Sequence, residues 1–140
     1  MNIFLDANIL ISVFNKEYPL FIYTSKILSL SGNKKFTLFT SPVALAISYY
    51  FAEKKSGTLL AKKKIGLMAE RLSVSKTGEA EVMQSLQNKK VHDFEDGLEY
   101  YSAVNSKCSI LITDDTDDFY FSEKEIVKPE VFLTRYLPQK

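Results

Sequence analysis

Tryptophan is absent from this 140-residue chain, and cysteine and histidine occur once each, as Cys108 and His92. One cysteine cannot close an internal disulfide, and one cysteine with one histidine cannot assemble a zinc site, so any metal ion here has to be held by oxygen. Long apolar runs are missing as well. The longest nearly apolar stretch, Val43 to Ala52, is interrupted by Ser48 and is too short to cross a bilayer. Near the N-terminus, Asp6 and Asn8 break what would be the apolar core of a secretory signal, so the expected compartment is the cytoplasm. No repeat, linker or low-complexity segment is present, and residues 1–140 read as a single domain. Nor is there an excess of either charge: 18 basic and 17 acidic residues leave a net charge of +1. That balance alone argues against a polyanionic partner, but the distribution argues the other way.

Lysines cluster at 34–35, 54–55, 62–64 and 89–90, while acids concentrate at Asp93, Glu95, Asp96, Glu99 and Asp114 to Asp118. A basic surround with an acidic centre suits an enzyme that attracts phosphates and processes them at a metal. With 46% apolar and 25% charged residues, the chain has the composition of a globular domain with a substantial core. Two short apolar runs organise it. Ile3-Phe4-Leu5 stops on Asp6-Ala7-Asn8, and Ile110-Leu111-Ile112 stops on Thr113-Asp114-Asp115. Continuous apolar runs of this length suit parallel strands covered on both faces. Open parallel sheets bind ligands at the carboxyl ends of their strands. Two strands ending in aspartate would therefore gather negative charge at one edge, which costs energy unless a cation, a proton or a partner offsets it.

Between these runs the pattern alternates. A short helix or turn spans Ile9 to Phe14, and a helix from Pro19 to about Leu30 precedes a strand at Phe36 to Phe39. Ser41-Pro42 then sets an N-cap with proline at N1 for a helix to about Lys55, which is apolar nearly all round and is expected to be central. A further helix carries Leu59, Leu60, Ile65, Leu67, Met68 and Leu72, its lysine face at 62–64 turned to solvent. A short strand at 73–75 and a helix from Thr77 to about Leu86 follow. Asp93 caps the next helix with Asp96 at N3, and Phe94, Leu98, Tyr101 and Val104 form its expected buried stripe. Because that helix feeds the strand at 109–112, its N-terminus lies at the edge where the other strands end, where Asp96 can face Asp6 and Asp115. Ile126-Val127 reads as a last edge strand and Pro129 opens a terminal helix. The fold class is α/β, a three-layer sandwich with a mainly parallel central sheet flanked by helices.

Taken in order, Leu5-Asp6-Ala7-Asn8-Ile9-Leu10, Thr40-Ser41-Pro42, Asp93-Phe94-Glu95-Asp96-Gly97-Leu98-Glu99-Tyr100, Ile112-Thr113-Asp114-Asp115-Thr116-Asp117-Asp118-Phe119 and Pro129-Glu130-Val131-Phe132-Leu133 resemble the PIN-domain family, particularly the VapC-like toxins of toxin–antitoxin systems. The resemblance implies an endoribonuclease dependent on Mg2+ or Mn2+. Its catalytic acids would be Asp6, Asp96, Asp115 and Asp118, with Asp93 joining them as a metal ligand. Magnesium and manganese favour carboxylate oxygens and water and bridge to substrate phosphate. The resemblance also implies an RNA substrate, an antitoxin protein as partner and a homodimer, for which the apolar, tyrosine-bearing helices at 19–30 and 43–52 could supply surfaces.

Two positions depart from the family pattern. Its late arginine and asparagine are replaced by Asp114 and Asp115, and its second acid, a glutamate expected at about 46 or 47, is replaced by Ala46-Ile47. Glu53 lies too far along the helix to substitute. Two other readings are kept open: a catalytically degenerate PIN-like module that binds RNA or protein, and a haloacid-dehalogenase-like phosphatase, whose Asp-x-Asp signature here reads Asp6-Ala7-Asn8.

Overall fold

The chain starts in the middle of its own sheet. In the computed structural model, which describes residues 1–137, β1 (Asn2–Leu5) pairs with β2 (Thr37–Thr40) on one side and with β4 (Ile110–Ile112) on the other. β3 (Ser73–Val74) and β5 (Glu125–Val127) close the two edges, giving five strands in the order β3-β2-β1-β4-β5, all parallel. The chain winds outward from β1 through β2 to β3, then crosses back to β4 and β5. The reversal falls between β1 and β4, the point at which an open parallel sheet forms a crevice.

Alternation within the apolar strands builds both faces of the core. Ile3 and Leu5 of β1, Ile110 and Ile112 of β4, and Leu38 of β2 join one cluster with α1 (Ala7–Phe14), α2 (Leu20–Leu28), α3 (Pro42–Ser56), α4 (Thr58–Arg71) and α7 (Pro129–Tyr136). Phe4 and Leu111 point the other way, into a cluster with Tyr100, Ala103, Cys108, Phe119 and Phe121 from α6 (Phe94–Asn105) and the segments around β4. β1 and β4 are buried on both sides, which is why their apolar runs have no polar alternation, whereas the edge strand β3 is exposed. The outermost helix on the second face, α5 (Glu79–Gln87), packs on α6 through Gly97. A Cβ built there would lie 2.8 Å from Val91 Cγ1 and 2.9 Å from both Ser85 Cβ and Oγ.

Three expectations about helix faces are corrected. Helix α3 starts as expected, with the Ser41 hydroxyl accepting from Ala44 N at 3.0 Å and Pro42 at N1. Its burial is narrower than its apolar character suggests: Ala44, Ser48 and Ala52 are fully buried, one small residue every fourth position, Leu45, Ile47 and Tyr49 are half-buried against the core, and Tyr50 and Phe51 are exposed. Small residues on that stripe let α3 approach α1 closely, and the half-buried side chains beside it widen the contact. On α4, the lysine face divides. Lys62 and Lys63 are exposed, but Lys64 turns inward and donates to Phe14 O at 2.8 Å, beside Lys55, which donates to Asn15 O at 2.6 Å. Both cations meet the negative end of α1, where the last carbonyls lack helical partners. On α6, Phe94 is exposed and Tyr101 and Val104 are partly so, whereas Gly97, Leu98, Glu99, Tyr100, Ser102 and Ala103 are buried. A helix held between a sheet and a second helix buries two faces, and sequence periodicity registered one of them.

Candidate functional site

Strand β1 ends because Asp6 changes role. Its backbone N–H still donates to Ile112 O at 3.1 Å, extending the β1–β4 ladder by one residue, while its side chain caps α1 by accepting from Ala7 N at 2.7 Å. The other carboxylate oxygen takes the Thr113 hydroxyl at 2.8 Å and Asn8 Nδ2 at 3.3 Å. Thr113 is fully used: its hydroxyl donates to Asp6 and accepts from Asn8 Nδ2 at 3.0 Å and from Asp115 N at 3.1 Å. Asn8 completes the link by accepting from Asp114 N at 3.1 Å through its side-chain oxygen. The residues following β1 and β4 are thus tied into one network across the crevice, and Asp6 is fixed in it with 6% of its surface exposed.

Helix α6 brings the second group of acids to the same edge. Asp93 caps it, accepting from Asp96 N at 3.2 Å. Asp96, half-buried in the first turn, is pushed up to about 7 by burial and then by the negative charges of Asp93, Asp118, Asp6 and Glu95. From the turn after β4, the Asp118 carboxyl is also raised, by desolvation, by the charge and hydrogen bond of Asp115, and by Asp6 and Asp93. Asp118 N donates to Asp115 O at 3.2 Å in the 3-10 turn Thr116–Phe119, which sets the two side chains together. All five acids expected from the sequence, Asp6, Asp93, Asp96, Asp115 and Asp118, lie at this edge and all enter the fields that raise Asp96 or Asp118.

One acid of this group counted among the clustered acids in the sequence but was not assigned to the site. Glu99, one turn beyond Asp96 on α6, is 2% exposed and accepts from Ala7 N at 3.3 Å. Burial, then the charge of Asp6 and a hydrogen bond shared with the Asp6 carboxyl, raise its pKa well above the ordinary carboxylate range, which favours the protonated form beside Asp6. The signal was available as an i, i+3 pair: Asp96 and Glu99 share one helix face. Asn8 and Thr113 were visible as strand-end residues, but their part in holding Asp6 needs the β1–β4 pairing to be known.

The donor chemistry of this edge suits a hard divalent cation. Its donors are all oxygen, the carboxylates raise one another's pKa, and the one ion pair among the described residues, Arg135 with Glu125, lies elsewhere. Among the described residues, however, no three His, Cys, Asp or Glu side chains already stand as a group able to hold a metal. The acids share a field without forming a closed ligand shell. At the expected second acidic position, Ile47 is half-buried and packs against the core on the α1 side, and Ala46 is exposed. Glu53 is occupied at the far end of α3, accepting from the Thr58 hydroxyl at 3.0 Å. Cys108 is buried beneath β4 with its thiol pushed up to about 12 by desolvation, which makes it inert as a nucleophile.

An open, all-parallel α/β sheet with carboxylates gathered at its switch point defines the class. The PIN-domain profile matches residues 2–117, and the chain belongs to the PIN-domain family. Ribonuclease VapC1 of Aquifex aeolicus (strain VF5) is 26% identical to it over 142 residues, covering 96% of this chain and 94% of that protein. Among solved structures, VapBC-1 from nontypeable Haemophilus influenzae matches 93% of this chain and 99% of its own, at 20% identity and a TM-score of 0.71. Mycobacterium tuberculosis VapC20, a sarcin-ricin loop cleaving toxin, matches 78% of this chain and 86% of its own at 12% identity and a TM-score of 0.62. The fold is that of the VapC proteins.

Proposed function

We propose that this chain is a Mg2+- or Mn2+-dependent endoribonuclease of VapC type, acting in the cytoplasm and restrained by an antitoxin protein. The observation that carries the proposal is the set of carboxylates at the β1/β4 switch point, none of them ion-paired among the described residues, with Asp6 locked by Thr113, Asn8 and Ala7. Family membership and the relation to a ribonuclease support the same reading. Asp6, Asp96 and Asp118 would hold the ion, with Asp93 and Asp115 beside them. When bound, such an ion supplies positive charge against the phosphodiester oxygens and acidifies water. The residues around Asp6 keep one oxygen donor fixed and one side of the crevice shielded from solvent. Exposed Tyr18 just before α2, Ile22 on α2, and Tyr50 and Phe51 on α3 support partner surfaces for the antitoxin and for a homodimer.

A specific observation also favours a degenerate, binding-only module: the second acidic position holds Ile47, and the remaining acids do not form a closed ligand group. The two readings separate in one experiment, a manganese titration by calorimetry with cleavage of a labelled RNA, run on the natural chain, Asp6→Asn and Ile47→Glu. The nuclease reading expects weak binding and slow cleavage by the natural chain, both lost in Asp6→Asn and both strengthened in Ile47→Glu. Equal binding and cleavage in all three proteins would sink the metal site. Activity confined to Ile47→Glu would establish the degenerate reading.

A further inference from the structure

Both segments that bring late acids to the site also carry exposed aromatic rings. Phe94 lies between Asp93 and Asp96 and is 45% exposed, and Tyr120, two residues after Asp118, is 57% exposed. Tyr120 is nevertheless held: its hydroxyl donates to Lys90 O, its ring meets Phe121 edge-on at 5.5 Å, and it lies 5.5 Å from the His92 ring at a 51° tilt. His92 immediately precedes Asp93, so the aromatic pair joins the α6 N-cap to the turn carrying Asp118. Lys89 and Lys90 come just before in the chain. Both are exposed, and neither belongs to an ion pair among the described residues.

We infer that Tyr120, with His92 and Phe94, is a stacking platform for an unpaired nucleobase beside the carboxylate site, with Lys89 and Lys90 meeting the flanking phosphates. The Tyr120 ring, left in water yet fixed at hydroxyl and edge, loses little freedom when a base covers it. Such rings beside cationic side chains are how single-stranded nucleic acid is held without reading its sequence. In a duplex the base faces are already stacked, so the platform selects single-stranded or looped RNA. The inference rests on the ribonuclease reading and adds to it the residues that hold a base beside the carboxylates.

The test compares the natural chain, Tyr120→Ala, Tyr120→Phe and Phe94→Ala. Anisotropy of a short labelled single-stranded RNA is measured in calcium, with double-stranded RNA as control and thermal melts to verify folding. Tyr120→Ala is expected to bind single strands about tenfold or more weaker, the scale of one base–aromatic stack. Phe94→Ala should show a smaller loss and Tyr120→Phe, which keeps the ring, close to none, with duplex binding unchanged throughout. Natural affinity in a folded Tyr120→Ala protein would overturn the platform, as would an equal loss in Tyr120→Phe, which would place the effect in the hydroxyl bond to Lys90. If the natural chain cleaves RNA while Tyr120→Ala binds normally, the platform alone fails; if it neither binds nor cleaves RNA, the ribonuclease reading fails with it.

Discussion

At the scale of residues, Thr113 does more for the site than its chemistry suggests. One hydroxyl donates to Asp6 and accepts from Asn8 and from the Asp115 backbone, so it joins both strand ends. Thr113→Val keeps the shape, leaves Asp115 N without that acceptor and removes a donor from Asp6. An unsatisfied buried polar group costs about 1–3 kcal/mol, and loss of a group supporting a ligand weakens metal binding roughly 10–100-fold. Urea denaturation and manganese calorimetry should show both losses. A Thr113→Val protein with natural metal affinity would mean that Asp6 needs no help from this network. The acids at 6, 93, 96, 115 and 118 were legible in the sequence because each sits at a strand end or in a first helical turn, positions that geometry confines to one edge. Glu99 was not, because a glutamate inside a helix usually faces solvent, and its place against Asp6 depends on how α6 is rotated against the sheet.

The elements themselves were legible where burial comes from both sides. Short, β-branched-rich runs such as Ile110-Leu111-Ile112, bounded by Ser109 and Thr113-Asp114, read as buried strands, and the all-parallel sheet refines the mainly parallel expectation. The helices were harder, since which face is buried depends on which neighbour covers it. Helix α6 illustrates this through Gly97, whose missing side chain is what lets α5 close on it. In Gly97→Ala the new methyl would meet Ser85 Cβ at 2.9 Å, an atom that cannot rotate away without moving α5. Overpacking costs about 1–3 kcal/mol, against a gain of roughly 1 kcal/mol in helix propensity. The expected net outcome is a lower denaturation midpoint and weakened packing of α5. A Gly97→Ala protein more stable than the natural chain would show that the two helices do not approach this closely.

For the whole molecule, the acids at the β1/β4 edge set how stability responds to pH. Asp96 is raised from the usual 3.8 to about 7, and Glu99 and Asp118 are raised with it. In the unfolded chain these groups ionise near pH 4, whereas in the folded protein they keep their protons to higher pH, so between those limits the native state binds more protons. Metal-free stability is therefore greatest below about pH 4 for these groups and is lost as the pH rises toward 7, where folding confines charges that repel one another. Other carboxylates act in the opposite direction, among them Glu81, which is lowered chiefly by its hydrogen bond from Asn105. The measurement that separates them is a comparison with Glu99→Gln across pH 5 to 8, since glutamine retains a donor toward Asp6 and an acceptor for Ala7 N without titrating. The natural chain should lose stability over that range more steeply than Glu99→Gln, and manganese should restore the natural chain most at pH 8, where the carboxylates are free to take it. Parallel pH profiles for the two proteins would show that Glu99 carries no proton that folding has to hold.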